Sequence, residues 1–196
     1  MGLPMSVLVA KAGYAVTAFD QSQPQLASAR EQGIAIASSP AEAISDKPVV
    51  ITSLPDDRAL RAVVLGPHGL ISTMAPTSVL IETSTVSAEV SGEVGAAAKA
   101  GDIIYLRAPV SGNASIVHTG ALTCFVSGPQ AAFEGVKPLL STFTRAQTYL
   151  GTGEEARYAK LAVNLMIAAS AAMMAESLAL ARKGGIAWPG HSQGTG

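Results

Sequence analysis

Short β-branched apolar runs alternate with segments whose apolar residues recur at three- and four-residue spacing, and this alternation carries through about the first 150 residues. Tyr14 to Phe19 predicts a strand, Pro24 to Gln32 a helix, and Val49 to Ser53 a second strand. Ahead of that strand, Ser39-Pro40-Ala41-Glu42 combines a capping serine, a proline at the first helical position and a glutamate at the third, which starts a short helix. Asp56-Asp57 opens another helix after Pro55, and Gly66-Pro67 closes it. Val79 to Thr83 predicts a strand and Ser87 to Ala100 a helix. Ile103 to Leu106 and Ala121 to Val126 follow as strands, separated by a Gly/Ser/Asn-rich loop from Ser111 to Gly120. A helix near Ala131 to Leu140 and a strand near Thr148 to Leu150 complete the pattern. The alternation predicts an α/β fold with a doubly wound, mostly parallel sheet, whose ligands sit at the carboxyl ends of the strands.

From Glu154 the texture changes to one long helical run reaching about Lys183-Gly184-Gly185. Thr152-Gly153-Glu154-Glu155 reads as a capping box and the paired glycines as the stop. This helix is apolar nearly all round, so it needs cover from a helix layer of a further domain or from another chain; a homo-oligomer is expected. Its most apolar stretch, Leu161 to Ala175, carries Asn164 and is shorter than the ~20 residues that span a bilayer, so no membrane partner is expected. The tail over 187–196 is polar and glycine-rich and reads as disordered. The organisation expected is a Rossmann-like domain over 1–150, a long helix over 151–186 leading towards an all-α domain, and the tail.

The composition narrows the partners. Net charge is −1 and the 13 Lys and Arg are scattered, which argues against nucleic acid or an anionic membrane. Hydrophobic content of 48% against 14% charge suits buried parallel strands under Ala-rich helices. Cys124 lies in the apolar run Leu122-Thr123-Cys124-Phe125-Val126 and reads as a core residue in a reducing compartment. With no basic-then-apolar leader pattern at the start, a cytoplasmic location is expected. His68, His118 and His191 are far apart and have no acidic cluster, so no metal site is read.

Candidate chemistry begins at Gly2, which opens a helical segment and is followed at Asp20 by an acid closing an apolar strand. That matches the later part of a dinucleotide-binding fingerprint: the last glycine, the helix, and an acidic residue about 20 positions on for the ribose hydroxyls. Three loops then follow strands: Ser53-Leu54-Pro55-Asp56-Asp57, Thr83-Ser84-Thr85-Val86-Ser87 and Ala108-Pro109-Val110-Ser111-Gly112-Asn113. Each taken singly reads as turn and cap chemistry; their shared position at strand ends raises the functional reading. Lys160 and Asn164 are four residues apart, on one helix face, in apolar surroundings that would lower the lysine pKa and make it a usable proton donor.

Together these segments resemble the β-hydroxyacid dehydrogenase family, which includes 3-hydroxyisobutyrate dehydrogenase, tartronate semialdehyde reductase and, more distantly, 6-phosphogluconate dehydrogenase. The resemblance runs from Met1 to about Ile186 and implies an NAD-dependent oxidoreductase acting on a small 3-hydroxy acid or semialdehyde. It implies that Gly2 and Asp20 bind the dinucleotide, and that Leu54, Pro55 and Thr85 line the nicotinamide and its ribose. Ser111, Gly112 and Asn113 would hold the substrate carboxylate, Lys160 would be the catalytic lysine and Asn164 the amide orienting the substrate. No Arg follows Asp20 to grip a 2′-phosphate, which favours NAD over NADP. Against the family pattern, the first strand and first two fingerprint glycines are absent, as is the all-helical domain beyond the long helix. Asn113 stands where the family has glycine, and Arg107 replaces the acid usual before Ala-Pro-Val-Ser-Gly. Two alternatives stay open on the same residues: an inactive binding or interaction fragment of the family, and an imine reductase, a group that generally lacks the lysine.

Overall fold

A computed structural model describes residues 1–113 and 116–186. The tail expected to be disordered lies outside the described residues. The chain divides into two compact units, Met1–Lys160 and Leu161–Gly196.

The first unit is a Rossmann-like α/β layer structure. In chain order it contains α1 (Gly2–Lys11), β1 (Thr17–Ala18), α2 (Gln23–Glu31), β2 (Ala35–Ile36), α3 (Pro40–Ile44), β3 (Val49–Thr52) and α4 (Asp57–Leu60), the last continued by a π-helical turn at Arg61–Leu65. Then come α5 (Leu70–Thr73), β4 (Val79–Glu82), α6 (Ala88–Ala100), β5 (Ile104–Arg107), β6 (Val110–Ser111), a 3-10 turn at Val117–Thr119, β7 (Leu122–Ser127), α7 (Gln130–Leu140) and β8 (Thr144–Gly151). The helix α8 (Glu155–Lys183) starts in this unit.

One sheet runs β3-β4-β5-β7-β6 with β8 also paired to β7, while β1 and β2 form a separate parallel pair. The pairings β3–β4, β4–β5 and β7–β8 are parallel; β5–β7 and β6–β7 are antiparallel. The sheet is therefore mostly parallel, as the alternation predicts. Successive strand residues face opposite layers. On one side Ile81 and Leu106 pack with Met5 and Val9 of α1 and with Phe133, Val136 and Leu140 of α7. On the other side Val50, Leu80 and Tyr105 pack with Ile44 of α3 and with Val90, Val94 and Ala98 of α6. Both faces being covered explains why the strands read as continuous apolar runs.

Several boundaries differ from the sequence expectations, each for a reason of pairing. The strand expected over Tyr14 to Phe19 shrinks to two residues because its sole ladder is the two-residue register with β2. β8 is longer than expected, from Thr144, because β7 pairs along its whole length while the strand's alternate residues, Arg145 among them, face water. Its polar first half hid it from a search for apolar runs. β6 and the 3-10 turn lie inside what reads as loop, and β2 and α5 are too short to show a period. The capping box read at Thr152 to Glu155 does not form. Glu155 Oε2 accepts from the Gly153 N–H at 2.7 Å, but the hydroxyl accepting from the Ala156 N–H, at 3.3 Å, belongs to Ser127 and not to Thr152. Cys124 is a core residue, 3% exposed, and burial pushes its thiol up to about 12.

The second unit consists, as far as it is described, of the rest of α8. Leu165, Met166, Ile167, Met173, Met174 and Leu180 are all more than half exposed. The 29-residue helix is long and apolar enough to cross a membrane by length and composition, which corrects the shorter span read from Leu161 to Ala175. A helix covered by other protein passes the same test.

Candidate active site

The loops after β3 and β4 and the start of β6 converge at the carboxyl ends of the strands, where a cavity of about 270 Å³ is lined by Ser53, Leu54, Pro55, Thr85, Gly112 and Lys160 among others. Local capping holds these loops. Asp56 caps α4 by accepting from the Ala59 N–H at 2.7 Å, and Ser87 caps α6 by accepting from the Val90 N–H at 3.2 Å. The Ser87 N–H donates in turn to Asp57 at 2.9 Å, tying the two loops; hydrogen bonding from Ser87 holds the Asp57 carboxyl below its ordinary range. Thr83 donates its N–H and its hydroxyl to the Thr52 carbonyl at 2.9 and 2.7 Å, and its own carbonyl accepts from the Val110 N–H at 3.2 Å.

Lys160 enters this cavity from the second turn of α8. It is 7% exposed, and its Nζ donates to Ser111 Oγ at 2.9 Å. Burial lowers its pKa from the ordinary lysine value. A lysine that yields its proton more readily than usual, next to a hydroxyl and open to a polar cavity, can exchange a proton with an alcohol or carbonyl oxygen.

Gly112, beside Ser111, has φ +139°, and a Cβ there would lie 2.5 Å from Leu122 Cδ2, so the loop backbone closes on the core as only glycine permits. Asn113 is exposed, and its Oδ1 accepts from the Ile116 N–H at 3.2 Å, so the side chain folds back on its own loop. Leu54, Thr85 and the exposed Pro55 line the cavity. Gly2 opens α1 and Asp20 follows β1; neither lines this cavity. A Cβ on Gly2 would make ordinary contact with Ser53 Cβ at 3.9 Å. Asp20 is exposed, with Oδ1 accepting from the Ser22 N–H at 2.8 Å ahead of α2. Asn164 sits one turn beyond Lys160 in α8, half-buried, in the second unit. Among the described residues no group of three or more His, Cys, Asp or Glu could hold a metal ion.

Sequence reasoning missed the charges beneath the site. Glu82 and Arg157 are both 0% exposed and pair at 2.5 Å; Arg107 pairs with Glu154 through Nε at 2.7 Å and through Nη2. The substitution at Arg107 thus has its counter-charge at Glu154, just ahead of α8, and the guanidinium also lies over the Tyr105 ring, 4.4 Å from its centroid. The available signal was that three neighbouring strands, otherwise apolar, end in Thr52, Glu82 and Arg107 on one face.

This fold and this placement of polar loops define a nicotinamide dinucleotide-binding class. The chain belongs to the family of the NAD binding domain of 6-phosphogluconate dehydrogenase, whose model matches residues 1–151. It is 33% identical over 186 residues to 3-hydroxyisobutyrate dehydrogenase of Pseudomonas aeruginosa, a match covering 95% of this chain and 62% of that one. The structure superposes on 3-hydroxyisobutyrate dehydrogenase of Mycobacterium tuberculosis with L-serine at a TM-score of 0.87 and 29% identity, covering 95% of this chain and 63% of that one. An imine reductase from Pseudomonas sp. shares the fold at a TM-score of 0.80 and 18% identity, with coverage of 95% and 65%. The chain thus spans less than two thirds of the length of these relatives.

Proposed function

We propose that this chain is the cofactor-binding part of an NAD-dependent oxidoreductase that acts on a small 3-hydroxy acid, of the 3-hydroxyisobutyrate or tartronate semialdehyde type. The observation that carries the reading is the buried Lys160 donating to Ser111 in a cavity at the carboxyl ends of parallel strands. Leu54, Pro55 and Thr85 are where a nicotinamide and its ribose fit, and the N-terminus of α1 at Gly2 offers backbone N–H groups to a pyrophosphate. The Asp20 carboxylate is exposed and suited to ribose hydroxyls. When bound, the nicotinamide supplies or accepts the hydride. Lys160 holds the proton at Nζ that the substrate oxygen gains on reduction, and takes it back on oxidation. Ser111 orients that ammonium, while the backbone of Gly112 and Asn113 receives the substrate carboxylate.

The exposed apolar side chains of α8 support an oligomer formed through that helix. The buried cysteine and balanced charge support a cytoplasmic protein without nucleic-acid or membrane partners. The test is a substrate panel of 3-hydroxyisobutyrate, tartronate semialdehyde and a cyclic imine with NAD(H) and NADP(H), run on the chain and on Lys160→Ala. The reading expects turnover of a hydroxy acid or semialdehyde with NAD(H) that the substitution abolishes. Equal turnover by the variant removes Lys160 from the mechanism, and turnover of the imine alone replaces the substrate class.

A further inference from the structure

Ser84 is a junction between the segments that build the site. Its N–H donates to Glu82 Oε1 at 2.7 Å, its Oγ accepts from the Leu54 N–H at 2.7 Å, and its carbonyl accepts from Arg157 Nη1 at 2.5 Å. Arg157 Nη2 reaches Glu82 Oε2 at 2.5 Å, so one guanidinium grips the end of β4 and the loop after it together. Arg157 lies in the first turn of α8, three residues before Lys160, a spacing that makes the two neighbours on the helix. Arg107 reaches from β5 to Glu154, the residue immediately before α8.

Stability does not account for this arrangement. A buried ion pair roughly breaks even against apolar residues of the same volume. This one is also incompletely satisfied, since Arg157 Nε is buried with no hydrogen-bond partner among the described residues. What the fork does achieve is geometric: two bonds from a planar group to two acceptors fix both the distance and the rotation of the helix start relative to the loop.

We propose that Arg157 is a positioning residue, which by bridging Glu82 and the Ser84 carbonyl sets the first turn of α8 and so places Lys160 Nζ against Ser111 in the cavity. The catalytic consequence rests on the reading of Lys160 as general acid and base; the placement does not. Loss of the fork lets the turn shift and admits water around Lys160. Misplacement of a reacting group by about 1 Å costs on the order of 10²-fold in rate.

Two variants test it. Glu82→Gln/Arg157→Gln replaces the ion pair by neutral amides of similar size, so no buried charge is stranded. Arg157→Lys keeps the charge but loses the rigid planar fork that holds both acceptors in fixed geometry. Each is first shown to be folded by circular dichroism. The Lys160 ammonium is then titrated by NMR in lysine-labelled protein, with its signal assigned by Lys160→Arg. The expected result is that the Lys160 midpoint, below the ordinary lysine range in the unaltered chain, moves back towards it in both variants. In turnover, kcat falls about 10²-fold in the Gln/Gln variant with KM within about twofold, and Arg157→Lys recovers part of the loss. An unchanged Lys160 titration in a folded variant overturns the proposal. If the Gln/Gln variant does not fold, Arg157→Lys decides by the same titration. Should the unaltered chain turn over no substrate, the functional reading fails while the titration still settles the placement.

Discussion

Replacing Glu82 by alanine strands the Arg157 guanidinium where it has no solvent exposure and one donor, Nε, already unpartnered. Breaking a fully buried pair by removing one partner costs about 3–5 kcal/mol, because the remaining charge is left uncompensated. For a chain of this length about 1 kcal/mol corresponds to ~2–4 °C in Tm, so the melting temperature should fall by roughly 6–20 °C. Arg157→Met strands the opposite charge with a different outcome, since a carboxylate can shed its charge by taking up a proton and a guanidinium cannot. The Arg157→Met deficit should therefore be smaller than that of Glu82→Ala. Joint replacement by Leu and Met should return stability to within ~2 kcal/mol of the unaltered chain. Urea denaturation followed by circular dichroism measures all of this. A Glu82→Ala loss below ~1 kcal/mol would refute the reasoning, because it would mean that Arg157 finds water or another acceptor.

Four further outcomes are expected. Burial lowers the Lys160 pKa, so the unfolded chain holds the extra proton in the window just below the ordinary lysine value, and stability relative to Lys160→Met should rise with pH through that window in denaturant melts. In the same window substrate oxidation should gain rate as Lys160 loses its proton; a midpoint at or above the ordinary lysine value contradicts this. Gly112→Ala puts a Cβ 2.5 Å from Leu122 Cδ2 at a φ of +139°, which should cost about 1–3 kcal/mol, measured by thermal melting; an unchanged Tm would show that the loop does not hold this conformation. Cys124, its thiol pushed up to about 12, should resist a thiol reagent in the native chain and react in urea; fast native labelling would contradict its burial.

Much of the sheet was legible because both of its faces are covered, so Val49 to Thr52 and Val79 to Glu82 announce themselves as apolar runs. The cavity was legible too, since Leu54, Thr85, Gly112 and Lys160 stand at strand ends or in an apolar helix turn. Elements held by long-range pairing were not: β8 owes its length to β7, and β2 to a two-residue ladder with β1. The Glu82–Arg157 pair was invisible for a related reason, its partners standing 75 positions apart with no local pattern joining them. Arg107 reads as a departure in the sequence and becomes intelligible only beside Glu154.

The most direct test is calorimetric titration of NADH into the chain and into Asp20→Ala. The account predicts saturable binding, weakened by the loss of the Asp20 carboxylate, together with a thermal shift of the bound chain. No heat and no thermal shift at ~millimolar NADH or NAD would contradict the claim that this chain carries a working cofactor site.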